Sequence, residues 1–108
     1  MTTASTMNFP HAPAGWNLTA AESIAQENHL TLEDDHWELM RCLQEYYDKA
    51  EFPRLRQITD ALDESFHSKG GMKYLYQLLP DGPVSQGCRL AGLKVPAGSV
   101  DRSFGSAA

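Results

Sequence analysis

The spacing of apolar residues between Asp34 and Ala50 constrains the fold of this chain more than any other feature. His36, Leu39, Met40, Leu43, Tyr46 and Tyr47 recur at i, i+3 and i+4, with Trp37 flanking the stripe. That is the period of a helix with one buried face, and no strand can keep these residues on one side. Thr31-Leu32-Glu33-Asp34 ahead of it has the form of a capping box, with Thr31 placed to satisfy an early backbone N–H. Asp34 and Asp35 suit the positive end of the helix dipole, and Phe52-Pro53 ends the run.

The rest of the chain offers this long helix only short helical partners. Asn17 is a plausible N-cap for a helix over Leu18 to Asn28, whose apolar positions are Leu18, Ala21, Ile24 and Ala25. A third helix is expected from Pro53, placed in its first turn, to Phe66, with Leu55, Ile58, Leu62 and Phe66 on one side. Lys69-Gly70-Gly71 is a stop signal, followed by a face of Met72, Leu75, Tyr76 and Leu79. After the turn Pro80-Asp81-Gly82-Pro83, residues Val84, Cys88 and Ala91 share a face, Gly87 and Gly92 permit close packing, and Gly92 ends the helix. There is no internal repeat and no alternating stretch of useful length. The expected fold is mainly α, a small bundle of about five helices. Residues 1–15 form an N-terminal arm, 16–94 the helical domain and 95–108 a C-terminal arm.

The totals narrow the classes. A chain of 108 residues supports one domain with one modest core. No run approaches the roughly 18–20 apolar residues of a bilayer span, and the N-terminus lacks a basic segment followed by an apolar block, so neither membrane nor export is expected. Two cysteines without an export signal point to a reducing cytoplasm. The net charge of −5 is uneven: residues 1–52 hold two basic residues against nine acidic ones, whereas residues 53–94 hold six against four. That asymmetry suits docking to a protein partner and is too weak for a nucleic-acid stripe.

Candidate chemistry is sparse. His11, His29, His36 and His67 are isolated and no CxxC or HxxxH spacing exists, so no metal and no cofactor is expected. His36, beside Trp37, reads as a partly buried side chain with a hydrogen-bond partner. Gly82-Pro83-Val84-Ser85-Gln86-Gly87 lacks a phosphate-loop lysine and a preceding strand. The acidic residues from Glu33 to Glu51 read as a solvated face. Cys42 reads as a small core filler. Cys88 keeps two readings open: packing beside Val84 and Ala91, or a reactive thiol that Arg89 pushes toward thiolate and that the small Gly87 and Ala91 leave open to an approaching arm. The helices beginning at Pro53 and near Met72 would allow a helix-turn-helix in which Arg54, Arg56 and Lys73 meet phosphates, although an ordinary core pair is favoured.

From Trp16 to Val100 the sequence resembles the DsrC/TusE family, also described as the gamma subunit of dissimilatory sulfite reductase. The matching segments are Leu32-Glu33-Asp34-Asp35-His36-Trp37-Glu38, Leu43-Gln44-Glu45-Tyr46-Tyr47 and Pro53-Arg54-Leu55-Arg56. They continue with Lys73-Tyr74-Leu75-Tyr76-Gln77-Leu78-Leu79-Pro80, and with Gly82-Pro83 leading to Cys88-Arg89-Leu90-Ala91-Gly92-Leu93. The resemblance implies an orthogonal helical bundle with a helix-turn-helix-like core and a flexible C-terminal arm. In DsrC proteins that arm carries an essential cysteine next to the last residue, with a second cysteine ten residues upstream. TusE-like members keep only the arm cysteine and serve the relay that thiolates the tRNA wobble uridine.

This chain keeps the upstream position as Cys88 and has Ser99 in the arm position, followed by Val100 to Ala108 where the family usually stops after one residue. The segment before Trp16 looks too short for the family's small N-terminal hairpin, and Gly71-Met72 stands where Asn-Ser is usual. A hydroxyl cannot be sulfurated by the thiol route. The resemblance therefore implies a sulfur-metabolism accessory protein, a carrier or partner more than a catalyst, whose candidate residues are Cys88 and the inactive Ser99, with Arg56, Lys73 and Arg89 for binding. Its expected partners are sulfur-relay or sulfite-reductase proteins of the DsrEFH/TusBCD or DsrAB type. The alternatives are a sulfur-transfer protein using Cys88, or a helix-turn-helix regulator of sulfur genes.

Overall fold

The computed structural model describes residues 9–50 and 53–96; Ser99 and the other arm residues from 97 to 108 lie outside them. Five α-helices follow one another: α1 (Leu18–Glu27), α2 (Asp34–Lys49), α3 (Leu55–Ser65), α4 (Gly71–Leu78) and α5 (Pro83–Leu90), with a 3-10 turn (His67–Lys69) ahead of α4. Among the described residues there is no strand.

The long amphipathic helix forms where its periodicity puts it. Its buried residues are His36, Trp37, Leu39, Met40, Leu43 and Gln44, so Trp37 belongs inside the stripe that it was expected only to flank. The cap differs from expectation. Glu33, not Thr31, is the N-cap, and its backbone N–H donates to His36 Nδ1 at 3.0 Å. His36 Nε2 lies 2.9 Å from the Leu78 carbonyl oxygen. With Nδ1 accepting, Nε2 carries the proton and donates to Leu78, so a buried neutral imidazole ties the start of α2 to the end of α4.

Pro53 also falls outside its expected place. Arg54 is the extended N-cap of α3, which leaves Pro53 one residue ahead of the cap. Asn17 behaves as read, its Oδ1 accepting from the Ala20 N–H at 2.8 Å. The Gly70-Gly71 stop has a physical reason in its backbone, with φ of 124° and 64°, conformations that side chains with a Cβ rarely take.

The N-terminal arm is packed where it is described. Phe9 lies 5.1 Å from Trp16 and 6.1 Å from Trp37 between ring centroids. His11 Nδ1 sits 2.7 Å from Asp48 Oδ2 on α2. The acidic face of α2 is thus partly engaged rather than simply solvated: Asp35 pairs with Lys69 Nζ at 2.6 Å and accepts from the Tyr74 hydroxyl. Both contacts hold the Asp35 carboxyl below its ordinary range, the lysine more strongly.

Candidate functional site

The site is organised by α5, and α5 is not the one-faced helix that the sequence suggested. Pro83, Val84, Ser85, Gln86, Gly87, Cys88 and Leu90 are all buried, and α1, α2, α3 and α4 each pack against it. Eight residues make only about two turns, too short for an isolated helix in water, so packing holds α5 in place. Gly82 at φ 113° makes the entry, and Pro83 supplies a first-turn residue that has no N–H to leave unpaired.

Its C-terminal end is fully accounted for. Leu93 N–H donates to Cys88 O at 2.8 Å and Gly92 N–H to Arg89 O at 3.3 Å, the paired bonds of a Schellman ending with Gly92 at φ 76°. Trp16 Nε1 donates to Leu90 O at 2.7 Å. Gln44 Nε2 donates to Ala91 O at 2.9 Å. The carbonyls that every helix end leaves open are thereby closed by two turn amides and by side chains from the arm and from α2.

Cys88 lies inside this arrangement with 0% of its surface exposed. Its Sγ–H donates to Tyr47 Oη at 3.5 Å, and Tyr47 donates onward to Lys94 O at 2.7 Å. Burial pushes the thiol up to about 11, only partly offset by the tyrosine. The Tyr47 hydroxyl is itself raised by burial and then by Cys88.

The surroundings of Cys88 lend neither argument for a reactive thiol its expected support. Arg89 follows it in sequence, but neighbours on a helix are about 100° apart. Arg89 instead lines a hollow with Ile24, Glu27, Asn28 and Leu93. Gly87 does not make room for an arm. A Cβ on it would meet Leu39 Cδ2 at 2.7 Å and Leu43 Cδ1 at 2.8 Å, so its smallness is already used by α2. Ala91 is likewise 0% exposed.

The other candidates are dispersed. Arg56 on α3 and Lys73 on α4 are exposed, whereas Arg89 is half-buried; the fold does not gather the three around the thiol. Among the described residues no three His, Cys, Asp or Glu side chains converge as metal ligands.

Sequence reasoning missed a groove of about 450 Å³ between α2 and α3, lined by Cys42, Leu43, Tyr46, Ile58, Leu62 and Ser65 among others. Cys42 is half-buried there rather than a sealed filler, donates to Glu38 Oε2 at 3.6 Å, and is raised to about 11 by burial and then by Glu38. The half-apolar spacing of Cys42, Tyr46 and Lys49 was the signal available for it. Neither thiol of the chain is poised as a thiolate.

With this geometry in hand, comparison places the chain among known proteins. The family described as DsrC-like protein matches residues 2–100. The chain is 38% identical over 84 residues to a sulfurtransferase TusE homolog of Haemophilus influenzae, covering 76% of this chain and 77% of that protein. It is 34% identical over 83 residues to sulfurtransferase TusE of Photorhabdus laumondii, covering 75% of each. The NMR structure of Allochromatium vinosum DsrC is similar with a TM-score of 0.67 and 36% identity, over 83% of this chain and 85% of that one.

Proposed function

Because this chain belongs to the DsrC-like protein family, we propose that it is a sulfur-metabolism accessory protein that docks to a sulfur-relay or sulfite-reductase partner without completing sulfur-carrier chemistry itself. Relatives at 34–38% identity are named sulfurtransferases, which supports the sulfur context. The state of Cys88 supports the non-carrier part. A sulfur carrier must present a thiolate to a donor and then a persulfide to an acceptor. Here the thiol is enclosed, lacks a neighbouring cation among its hydrogen-bond partners, and is raised to about 11. Ser99 occupies the position at which the sequence pattern would put an arm cysteine, and a hydroxyl offers no sulfur to exchange.

The observation that carries the proposal is the sealed Cys88, taken together with a serine at the arm position of the sequence. Under this reading the exposed Arg56 and Lys73 belong to a docking surface. The test is incubation of the full chain with a cysteine desulfurase and cysteine, or with a polysulfide, followed by intact-mass measurement. The expected result is no 32 Da adduct that can be passed on to a thiol acceptor. Stable loading of Cys88 with onward transfer would establish the carrier reading instead.

A further inference from the structure

Three contacts tie the exit of α5 to α2. Gln44 holds the Ala91 carbonyl, Cys88 donates to Tyr47, and Tyr47 donates to the Lys94 carbonyl. The last two share one hydroxyl. Tyr47 therefore touches both the buried thiol and the backbone leaving the helical domain.

We propose that Tyr47 is a latch for the strap Leu93–Pro96, holding it down over Cys88, and that the thiol becomes accessible through local release of this strap rather than through unfolding of the bundle. Three features make the strap the element that opens. Leu93 and Val95 are only partly buried against the core. Lys94 and Gly92 are exposed. The Tyr47–Lys94 bond lies at the surface, where water can take up both groups once it opens. The helices beneath have no such freedom, since Leu39, Leu43, Leu79 and Leu90 are fully enclosed. Local opening of weakly packed segments below the global unfolding free energy is general behaviour. The inference goes beyond the functional proposal and does not depend on any sulfur chemistry at Cys88.

The test uses Cys42 as an internal reference. The full chain and Tyr47→Phe are treated with iodoacetamide, and modification of each cysteine is followed by peptide mass spectrometry. Removing the hydroxyl deletes its bond to Lys94 O and the acceptor of the Cys88 thiol, and should raise the Cys88 rate roughly two- to tenfold, with the Cys42 rate unchanged. A Cys88 rate that moves less than twofold relative to Cys42 overturns the latch. A second measurement needs no variant and covers the case in which Tyr47→Phe loosens the whole fold: the Cys88 rate of the unaltered chain in rising, sub-denaturing urea. Local release predicts a shallow urea dependence, matched by exchange of the Leu93 amide. A dependence as steep as global unfolding overturns the proposal.

Discussion

Replacing Gly87 by alanine separates two meanings of a small residue. If Gly87 leaves room beside Cys88, an added methyl costs nothing to the folded body and gains helix propensity, about 1 kcal/mol for alanine over glycine. If it is the slot into which α2 packs, the methyl arrives 2.7 Å from Leu39 Cδ2, 2.8 Å from Leu43 Cδ1 and 3.5 Å from Leu79 Cδ1. Carbon pairs prefer about 3.5–4.0 Å, so two contacts are short by close to an ångström. Both leucines on α2 are 0% exposed and cannot swing into solvent. Overpacking of this kind costs about 1–3 kcal/mol, and two simultaneous clashes put Gly87→Ala in the upper half of that range. Subtracting the propensity gain leaves a net loss of about 1–2 kcal/mol, or a fall in Tm of roughly 5–15 °C for a domain of this size. Urea and thermal unfolding, with an unchanged m-value as the check on two-state behaviour, give the number. A Tm equal to or above that of the parent refutes the packing argument. Leu43→Ala supplies the internal control, because Gly87→Ala should cost less in that background than alone.

The remaining predictions address other contacts. His36→Leu removes the acceptor of the Glu33 N–H and the donor to Leu78 O, leaving two backbone groups unpaired near the core, and should lower urea-derived stability by about 2–4 kcal/mol. Trp16→Phe removes the Nε1 bond to Leu90 O while keeping most of the ring against Gly92, so a loss of about 1 kcal/mol is expected, read from the same unfolding curves. Stability should fall as pH rises from about 9 toward 11. Cys88 and Cys42 are both raised to about 11, so in that window the folded chain binds protons that the unfolded chain has released, and the sign of linkage makes folding weaker with increasing pH. Well below the ordinary thiol pKa of about 8.5 both thiols are protonated in either state and contribute no slope. A Tm profile flat from pH 8.5 to 10.5 would contradict the buried-thiol geometry.

What the residues disclosed, and what they concealed, follows from how far each signal reaches along the chain. The stripe from His36 to Tyr47 spans enough turns to average out single exceptions, and Asn17 acts on an amide three residues away; such local rules were readable. The Glu33 cap was not, because its partner is His36, a residue type outside the usual capping pairs. The central placement of α5 was hidden more deeply. Val84-Ser85-Gln86-Gly87-Cys88-Arg89 carries polar residues at a density typical of a surface helix. Its burial is supported by the Asp81 N–H, which donates to the Gln86 amide oxygen at 3.2 Å, and by leucines from α2 that fill the Gly87 notch, contacts that no one-dimensional pattern contains.

That same concealment decides how Cys88 is to be understood. Small neighbours around a thiol are ambiguous in sequence: they suit an approaching arm or a close helix. The structure resolves the ambiguity through Leu39 and Leu43, which lie in the space an arm would need. A thiol in that setting is held protonated by exclusion of water, and its proton is directed to Tyr47 rather than released. Packing α5 at the centre of the bundle therefore encloses the thiol at position 88, and its burial opposes the charged thiolate form.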